Sequence, residues 1–341
     1  MSGIRSHVYT KGGEKMRVLI TGAAGFIGYH LAKRIINDPD VEMVYLIDNF
    51  VRGRADELYR ALCSHNKARH LTLDLSDPQQ VGKLPSDVDY IFHLAALNGT
   101  QNFYERPVDV IRCSFISTWY LLSKYVQRGC RVKVIFASSS EVYASTINKF
   151  SWPVPTKEDV PLCIDDIFNP RWSYAASKIL DEVFLACASK QCGIKFVILR
   201  YHNIYGPRMG DKHVIPDFIE RMRQGELVLY GYNNTRTFMY IDDAVEATIL
   251  LAKTPAAENE IVNVGGSTEV TMLELAQILM RLANVQGEIK LRPAPPGSVL
   301  RRVPNTEKLR RLTGFEEKWS LEEGLLETLR YYWPEAVKRE V

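Results

Sequence analysis

Residues 16–36 run MRVLITGAAGFIGYHLAKRII: a short apolar segment, a turn holding Gly22, Gly25 and Gly28, then Phe26, Ile27, Leu31 and Ile35 at helical spacing. The pattern is strand, tight turn, helix. Glycine permits the turn and a close backbone approach, and the helix start offers free N–H groups and partial positive charge to a pyrophosphate. A glycine triplet alone fits an ordinary strand-to-helix turn equally well, so its context decides. The next apolar strand, VEMVYLID, ends in Asp48, 20 positions after Gly28. A carboxylate there is placed to accept hydrogen bonds from an adenosine ribose and repels a 2′-phosphate, which favours NAD over NADP. Arg52 and Arg54, close by, pull the other way.

Further along, ARHLTLDL, DYIFHLAA, VKVIFASSS and IKFVILR are short apolar strands separated by segments long enough for crossover helices. That alternation predicts an α/β fold, a Rossmann-type doubly wound parallel sheet covered on both faces. Beyond Arg200 the pattern loses regularity. A smaller mixed α/β substrate-binding lobe is expected there, with TMLELAQILMRLA and SLEEGLLETLRYYW as amphipathic helices. The expected division is a polar leader at 1–15, a dinucleotide-binding domain at 16–200 with a return near 237–264, and the smaller lobe at 201–236 and 265–341.

Composition narrows the function classes. The 341 residues are 46% hydrophobic, enough for a substantial core. A net charge of +3, with basic residues scattered among acids, argues against nucleic acid as the main partner. Cys63, Cys113, Cys130, Cys163, Cys187 and Cys192 form no CxxC pair and have no histidine at zinc-ligand spacing, so they are expected to be reduced thiols, with no metal bound. With no signal-peptide pattern and no long apolar run, a cytoplasmic protein without membrane contact is expected.

Tyr174-Ala-Ala-Ser-Lys178 opens an apolar-periodic segment, which sets Tyr174 and Lys178 four apart on one helical face. A free phenol, of pKa ~10, is a poor base at neutral pH. A neighbouring ammonium stabilises the phenolate, which can then take a proton from a sugar hydroxyl as the carbon loses hydride.

Taken in order, these motifs resemble the extended short-chain dehydrogenase/reductase family, in its NAD-dependent nucleotide-sugar epimerase, dehydratase and decarboxylase group. The resemblance runs from Arg17 to about Trp333. GAAGFIG, Asp48-Asn49, Asp74-Leu75 and His93-Leu94-Ala95-Ala96 look like its cofactor segments, with Asp74-Leu75 beside the adenine. Ser138-Ser139-Ser140-Glu141-Val-Tyr143 looks like its catalytic strand end. Arg200-Tyr201-His-Asn203-Ile-Tyr-Gly-Pro207 looks like its RxxNxYGP segment, with Tyr201 on the cofactor side. The resemblance implies that Ser139 bonds the reacting sugar oxygen, that Asn203 contacts the nucleotide phosphates and that Arg236 grips the diphosphate. It also implies that an arginine of the 296–302 loop, Arg301 or Arg302, closes over the nucleotide. Asn98 is expected to line the sugar pocket, and the assembly to be a homodimer. Two positions depart from the family pattern: Ala144 replaces its glycine after Val-Tyr, and Asn305 replaces an aspartate.

By the same resemblance the substrate is a nucleoside-diphosphate sugar oxidised to a 4-keto intermediate. Glu141 lies two residues past Ser139, on the same side of the strand. As a base beside C5, with Ser140 as proton donor to the departing hydroxyl, it favours a dehydratase. A 4-epimerase, a uronate decarboxylase and a non-catalytic NAD(H) sensor are the alternatives.

Overall fold

The computed structural model describes residues 15–127, 132–294 and 298–337. Residues 1–14 of the expected leader, Cys130 and Pro296-Gly297 of the late loop lie outside them. The strands β1 (Met16–Thr21), β2 (Val41–Asp48), β3 (Ala68–Thr72), β4 (Tyr90–His93), β5 (Lys133–Ser139) and β6 (Lys195–His202) join a strand at Glu260–Gly265 in one seven-stranded sheet. Its order is Glu260–Gly265, β6, β5, β4, β1, β2, β3. Neighbours β3/β2, β2/β1, β1/β4 and β4/β5 pair in parallel. In central β1, Val18, Leu19 and Ile20 are 2%, 0% and 0% exposed, as expected of a strand covered on both faces. Full burial of each such side chain contributes roughly 1.5–3 kcal/mol.

The chain divides into two compact units. One reaches to Ala137 and takes in Ala176–Ile198 and Ile249–Glu260; the other holds Ser138–Ala175, Leu199–Thr248 and the chain from Ile261 onward. The first carries β1 to β4 and the glycine-rich turn. In the second, Thr235–Thr237 pairs antiparallel with Glu269–Thr271 and parallel with Arg301–Arg302. The two expected amphipathic helices form at Met272–Leu282 and Leu321–Tyr332. Each opens on a complete capping box, Thr271 with Glu274 and Ser320 with Glu323. Among the described residues no helix is long and apolar enough to cross a membrane.

Candidate active site

The first unit builds a dinucleotide cradle around the end of β1. Gly22 adopts φ +67°, and a Cβ there would sit 2.9 Å from the Ala95 amide nitrogen. A Cβ on Gly28 would meet the Gly22 carbonyl oxygen at 2.1 Å, so this glycine lets helix α1 (Phe26–Ile35) approach the turn. Gly25 is the N-cap of α1 and supplies no side-chain cap, which leaves the first N–H groups of the helix for an anion. Phe26 and Ile27, in the first turn, are half-buried.

Asp48 is 7% exposed at the end of β2 and accepts hydrogen bonds from the Ala24 (2.9 Å) and Phe50 (2.8 Å) amides. It therefore ties the glycine-rich turn to the loop after β2. That loop also turns at Asn49, whose Oδ1 accepts from the Val51 amide at 3.1 Å. Asp74 Oδ1 accepts from the amide and hydroxyl of Ser76, and Leu75 is buried. The Leu94 and Ala95 amides both donate to Thr21 Oγ1 at 3.1 Å, which holds the half-buried 94–96 segment against the end of β1. Asn98, also in this unit, has a buried Oδ1 with no hydrogen-bond partner among the described residues. These features fit a bound dinucleotide.

Tyr174 and Lys178 lie on the helix Trp172–Cys192, and both are buried, at 6% and 1% exposure. Lys178 Nζ stands 3.7 Å from Asp181 and 4.4 Å from the centre of the Phe136 ring. Burial lowers the pKa of this ammonium, against the opposing pull of Asp181 and Glu182.

In the second unit the strand end after β5 turns through Ser140–Tyr143. Ser139 is half-buried and its Oγ accepts from the Glu141 amide at 3.2 Å; Ser140 is 3% exposed. Arg302 Nη1 donates to Glu141 at 2.8 Å, and Arg171 Nη2 lies 3.5 Å from its other oxygen. Burial alone would raise the Glu141 pKa, but Arg302, Arg171 and Arg236 together hold it below the usual carboxylate value.

Strand register explains the clustering. Arg302 pairs directly with Arg236, so the two side chains leave the strands on one face and the charge of each is felt by the other. Arg301 takes the opposite face and forms a fork with Glu269, two bonds of 2.8 Å. Arg236 is anchored by the Thr235, Leu300 and Val299 carbonyls. Burial and the charge of Arg302 lower its pKa to about 9. Like charges paired across strands are destabilising, and one carboxylate cannot neutralise three guanidiniums. The cluster keeps an excess of positive charge around Glu141.

Arg171 escaped the sequence reading. Its Nε is buried with no hydrogen-bond partner among the described residues, and its only sequence signal is its place three residues before Tyr174. Asn203, at φ +42°, donates from Nδ2 to the Thr237 carbonyl at 2.9 Å. Tyr201 is 8% exposed and its hydroxyl is bonded to Thr248 at 2.7 Å. Asn305 serves a local turn, its Oδ1 accepting from the Glu307 amide at 3.0 Å.

Comparison with known proteins matches residues 18–265 to the NAD dependent epimerase/dehydratase family. UDP-N-acetyl-alpha-D-glucosaminuronate decarboxylase from Bacillus cytotoxicus is 34% identical over 329 residues, covering 93% of this chain and 98% of that protein. UDP-glucuronic acid decarboxylase 1 from Danio rerio is 31% identical over 323 residues, 94% of this chain and 73% of that one. Among solved structures, UDP-glucuronic acid 4-epimerase from Bacillus cereus, in complex with UDP-glucuronic acid and NAD, superposes with a TM-score of 0.83 at 25% identity. It covers 93% of this chain and 99% of its own.

Proposed function

The chain belongs to the NAD-dependent epimerase/dehydratase family and is an NAD-using enzyme, and from that premise we propose that it decarboxylates a nucleoside-diphosphate hexuronate through a 4-keto intermediate. The observation that carries this reading is the cluster of Arg171, Arg236 and Arg302 around the single carboxylate of Glu141. The dehydratase preference drawn from Glu141 weakens for a physical reason. A base that removes a C5 proton works best with a pKa raised toward neutrality, whereas Glu141 is ion-paired and its pKa lies below the usual value. A site rich in guanidinium suits a substrate with a carboxylate on C5 and a diphosphate handle.

Tyr174, beside Lys178, accepts the C4 hydroxyl proton, and Ser139 hydrogen-bonds the same oxygen from the strand end, with Ser140 behind it. Held at the Asp48 strand end and the α1 N-terminus, NAD+ would supply the hydride acceptor for C4 and, once reduced, the hydride donor after decarboxylation. The resulting ketone is β to the carboxylate. The electrons of the C5–C6 bond move onto the C4 oxygen as carbon dioxide leaves, and the Tyr174 hydroxyl donates a hydrogen bond to that oxygen. C5 takes up a proton, and Tyr174 returns its own to the C4 oxygen as C4 is reduced. The net change is hexuronate plus a proton to pentose plus carbon dioxide. We assign the adenosine ribose to Asp48 and the pyrophosphate to the α1 N-terminus. Arg236 and Asn203 are assigned to the substrate diphosphate, and Arg302 with Arg171 to the uronate carboxylate. Arg301, committed to Glu269, is left out.

The test is a panel of UDP-glucuronate, UDP-N-acetylglucosaminuronate, UDP-glucose and dTDP-glucose, followed by mass spectrometry and carbon dioxide trapping. Carbon dioxide from a uronate is the expected result. Interconversion of C4 epimers without gas release, or water lost from a neutral hexose, would move the chain to another branch of the family.

We further propose a homodimer. Val108, Ile111, Trp119, Leu180 and Val183 are 42–77% exposed on helices of the first unit, and Trp119 stacks on Phe184 at 5.0 Å. Covering large exposed apolar side chains such as these is favourable. Light scattering is expected to give twice the chain mass, falling to one with Val183→Arg; a wild-type monomer at micromolar concentration would sink the idea. The free thiols Cys63, Cys113, Cys163, Cys187 and Cys192 fit a reducing compartment, and we place the enzyme in the cytoplasm.

A further inference from the structure

Beside Lys178, within the first unit, lies a carboxylate that the mechanism above does not use. Asp181 is 0% exposed, one turn beyond Lys178 on the same helix, with Oδ2 3.7 Å from the ammonium. A buried carboxylate is costly unless it is paired and hydrogen-bonded. Ser114 Oγ donates to Oδ2 at 2.9 Å, while Oδ1 has no hydrogen-bond partner among the described residues; burial raises the Asp181 pKa, opposed first by Lys178 and then by the Thr118 and Ser114 hydroxyls. Ser114 sits in a π-helical turn, Arg112–Ile116, an irregularity that often marks functional positions.

The polar groups around the pair are arranged in one direction. Thr21 Oγ1 accepts from two amides, so its own hydrogen goes to His93 Nδ1 at 2.7 Å. His93 Nε2–H then donates to Thr118 Oγ1 at 3.0 Å, and the Thr118 hydroxyl donates to the Ser114 carbonyl at 3.0 Å. Burial and the charge of Lys178 lower the His93 pKa to about 3, so this ring stays neutral. The groups facing Lys178 are therefore Asp181 and Glu182 on its own helix, the Phe136 ring of β5 and neutral His93 of β4. Nothing in the His93 chain can replace the negative charge of Asp181.

We propose that Asp181 is a positioning residue for proton transfer: an anion held by Ser114 that keeps the buried Lys178 protonated, so that Lys178 can stabilise the Tyr174 phenolate. This rests on the reading of Tyr174 and Lys178 as the acid–base pair. With Asp181 neutral only Glu182 would oppose the burial of the ammonium, and a buried ammonium short of negative charge loses its proton more readily. Asp181→Asn preserves shape and removes the charge.

The ionisation of Tyr174 in the NAD-loaded protein, read as tyrosinate absorbance against Tyr174→Phe, needs no substrate. It is expected to move to higher pH in Asp181→Asn, with kcat on UDP-glucuronate at neutral pH falling at least about tenfold and KM changing little. Added to Tyr174→Phe, the same change should cause no further loss. If Asp181→Asn does not fold, Ser114→Ala, which frees the carboxylate without removing it, should shift the same titration in the same direction by less. A Tyr174 ionisation unchanged or moved to lower pH overturns the proposal, as does a full additional loss in the double variant. Were Lys178→Ala and Tyr174→Phe themselves active, the acid–base reading would fall instead, which separates the two failures.

Discussion

Replacing Tyr174 by phenylalanine is expected to lower kcat by about 10²–10⁴, the range that positioned acid–base groups supply, while the protein still folds and binds NADH. The change removes one oxygen and leaves a buried ring, 6% exposed, in place. No cavity forms, so circular dichroism and NADH fluorescence should match wild type. Tyr174 is asked to do two things in sequence: take the C4 proton at the start, and return it at the end. Between these steps its hydroxyl faces the C4 oxygen as charge develops there. A phenyl ring does none of this, and water cannot take over efficiently at a position so well covered. Lys178→Ala should be impaired to a similar degree for a different reason. It removes the ammonium that favours the phenolate at this buried position and leaves Asp181 as a buried charge without its partner. The alanine variant should therefore also melt at lower temperature, which Tyr174→Phe should not. Substantial turnover by Tyr174→Phe at neutral pH would assign the proton to another group.

The difference between what the chain announces and what it conceals follows from the range of the interactions. The β1 turn, the strand ending at Asp48 and the two capping boxes are local patterns, set by periodicity and by residues three to six apart. They are legible in a single sequence. Asp48 was placed correctly at its strand end, but its bonds to the Ala24 and Phe50 amides show a structural duty beside any ribose contact. The arginine cluster joins residues 161 positions apart, Glu141 and Arg302, through short strands of two or three residues that no periodicity reveals. The choice between Arg301 and Arg302 needed the register against Thr235 and Arg236, which turns one side chain to Glu269 and the other to Glu141. Arg171 stayed hidden because its partners lie elsewhere in the chain. The family resemblance supplied positions for these residues; only their pairing brings to Glu141 the guanidiniums that hold its pKa below the usual carboxylate value, and the proposed function gives it the role of tempering their hold on a substrate carboxylate.

That role leads to the second large expected effect. Glu141→Gln keeps the size and one acceptor of the side chain but removes the carboxylate that, among the described residues, Arg302 and Arg171 are paired with. The guanidiniums then hold an incoming uronate carboxylate more firmly, which should lower KM. Firmer holding of the carboxylate opposes its conversion to neutral carbon dioxide, so the ground state gains what the transition state does not. Oxidation at C4 uses Tyr174, Lys178 and NAD+, none of them altered. The variant is therefore expected to accumulate NADH with a 4-keto uronate, and to release carbon dioxide at least about 100-fold more slowly than wild type. Arg302→Gln should differ in the split of its parameters: it removes a carboxylate ligand, so KM rises as kcat falls, and no 4-keto intermediate builds up beyond the wild-type level. Rapid-quench mass spectrometry alongside NADH absorbance distinguishes the two patterns. If Glu141→Gln decarboxylates UDP-glucuronate as fast as wild type, Glu141 is only the structural counter-ion of Arg302. If wild type instead expels water from dTDP-glucose and Glu141→Gln stalls at the 4-keto hexose, the carboxylate is a C5 base despite its arginine partners, and the enzyme is a dehydratase.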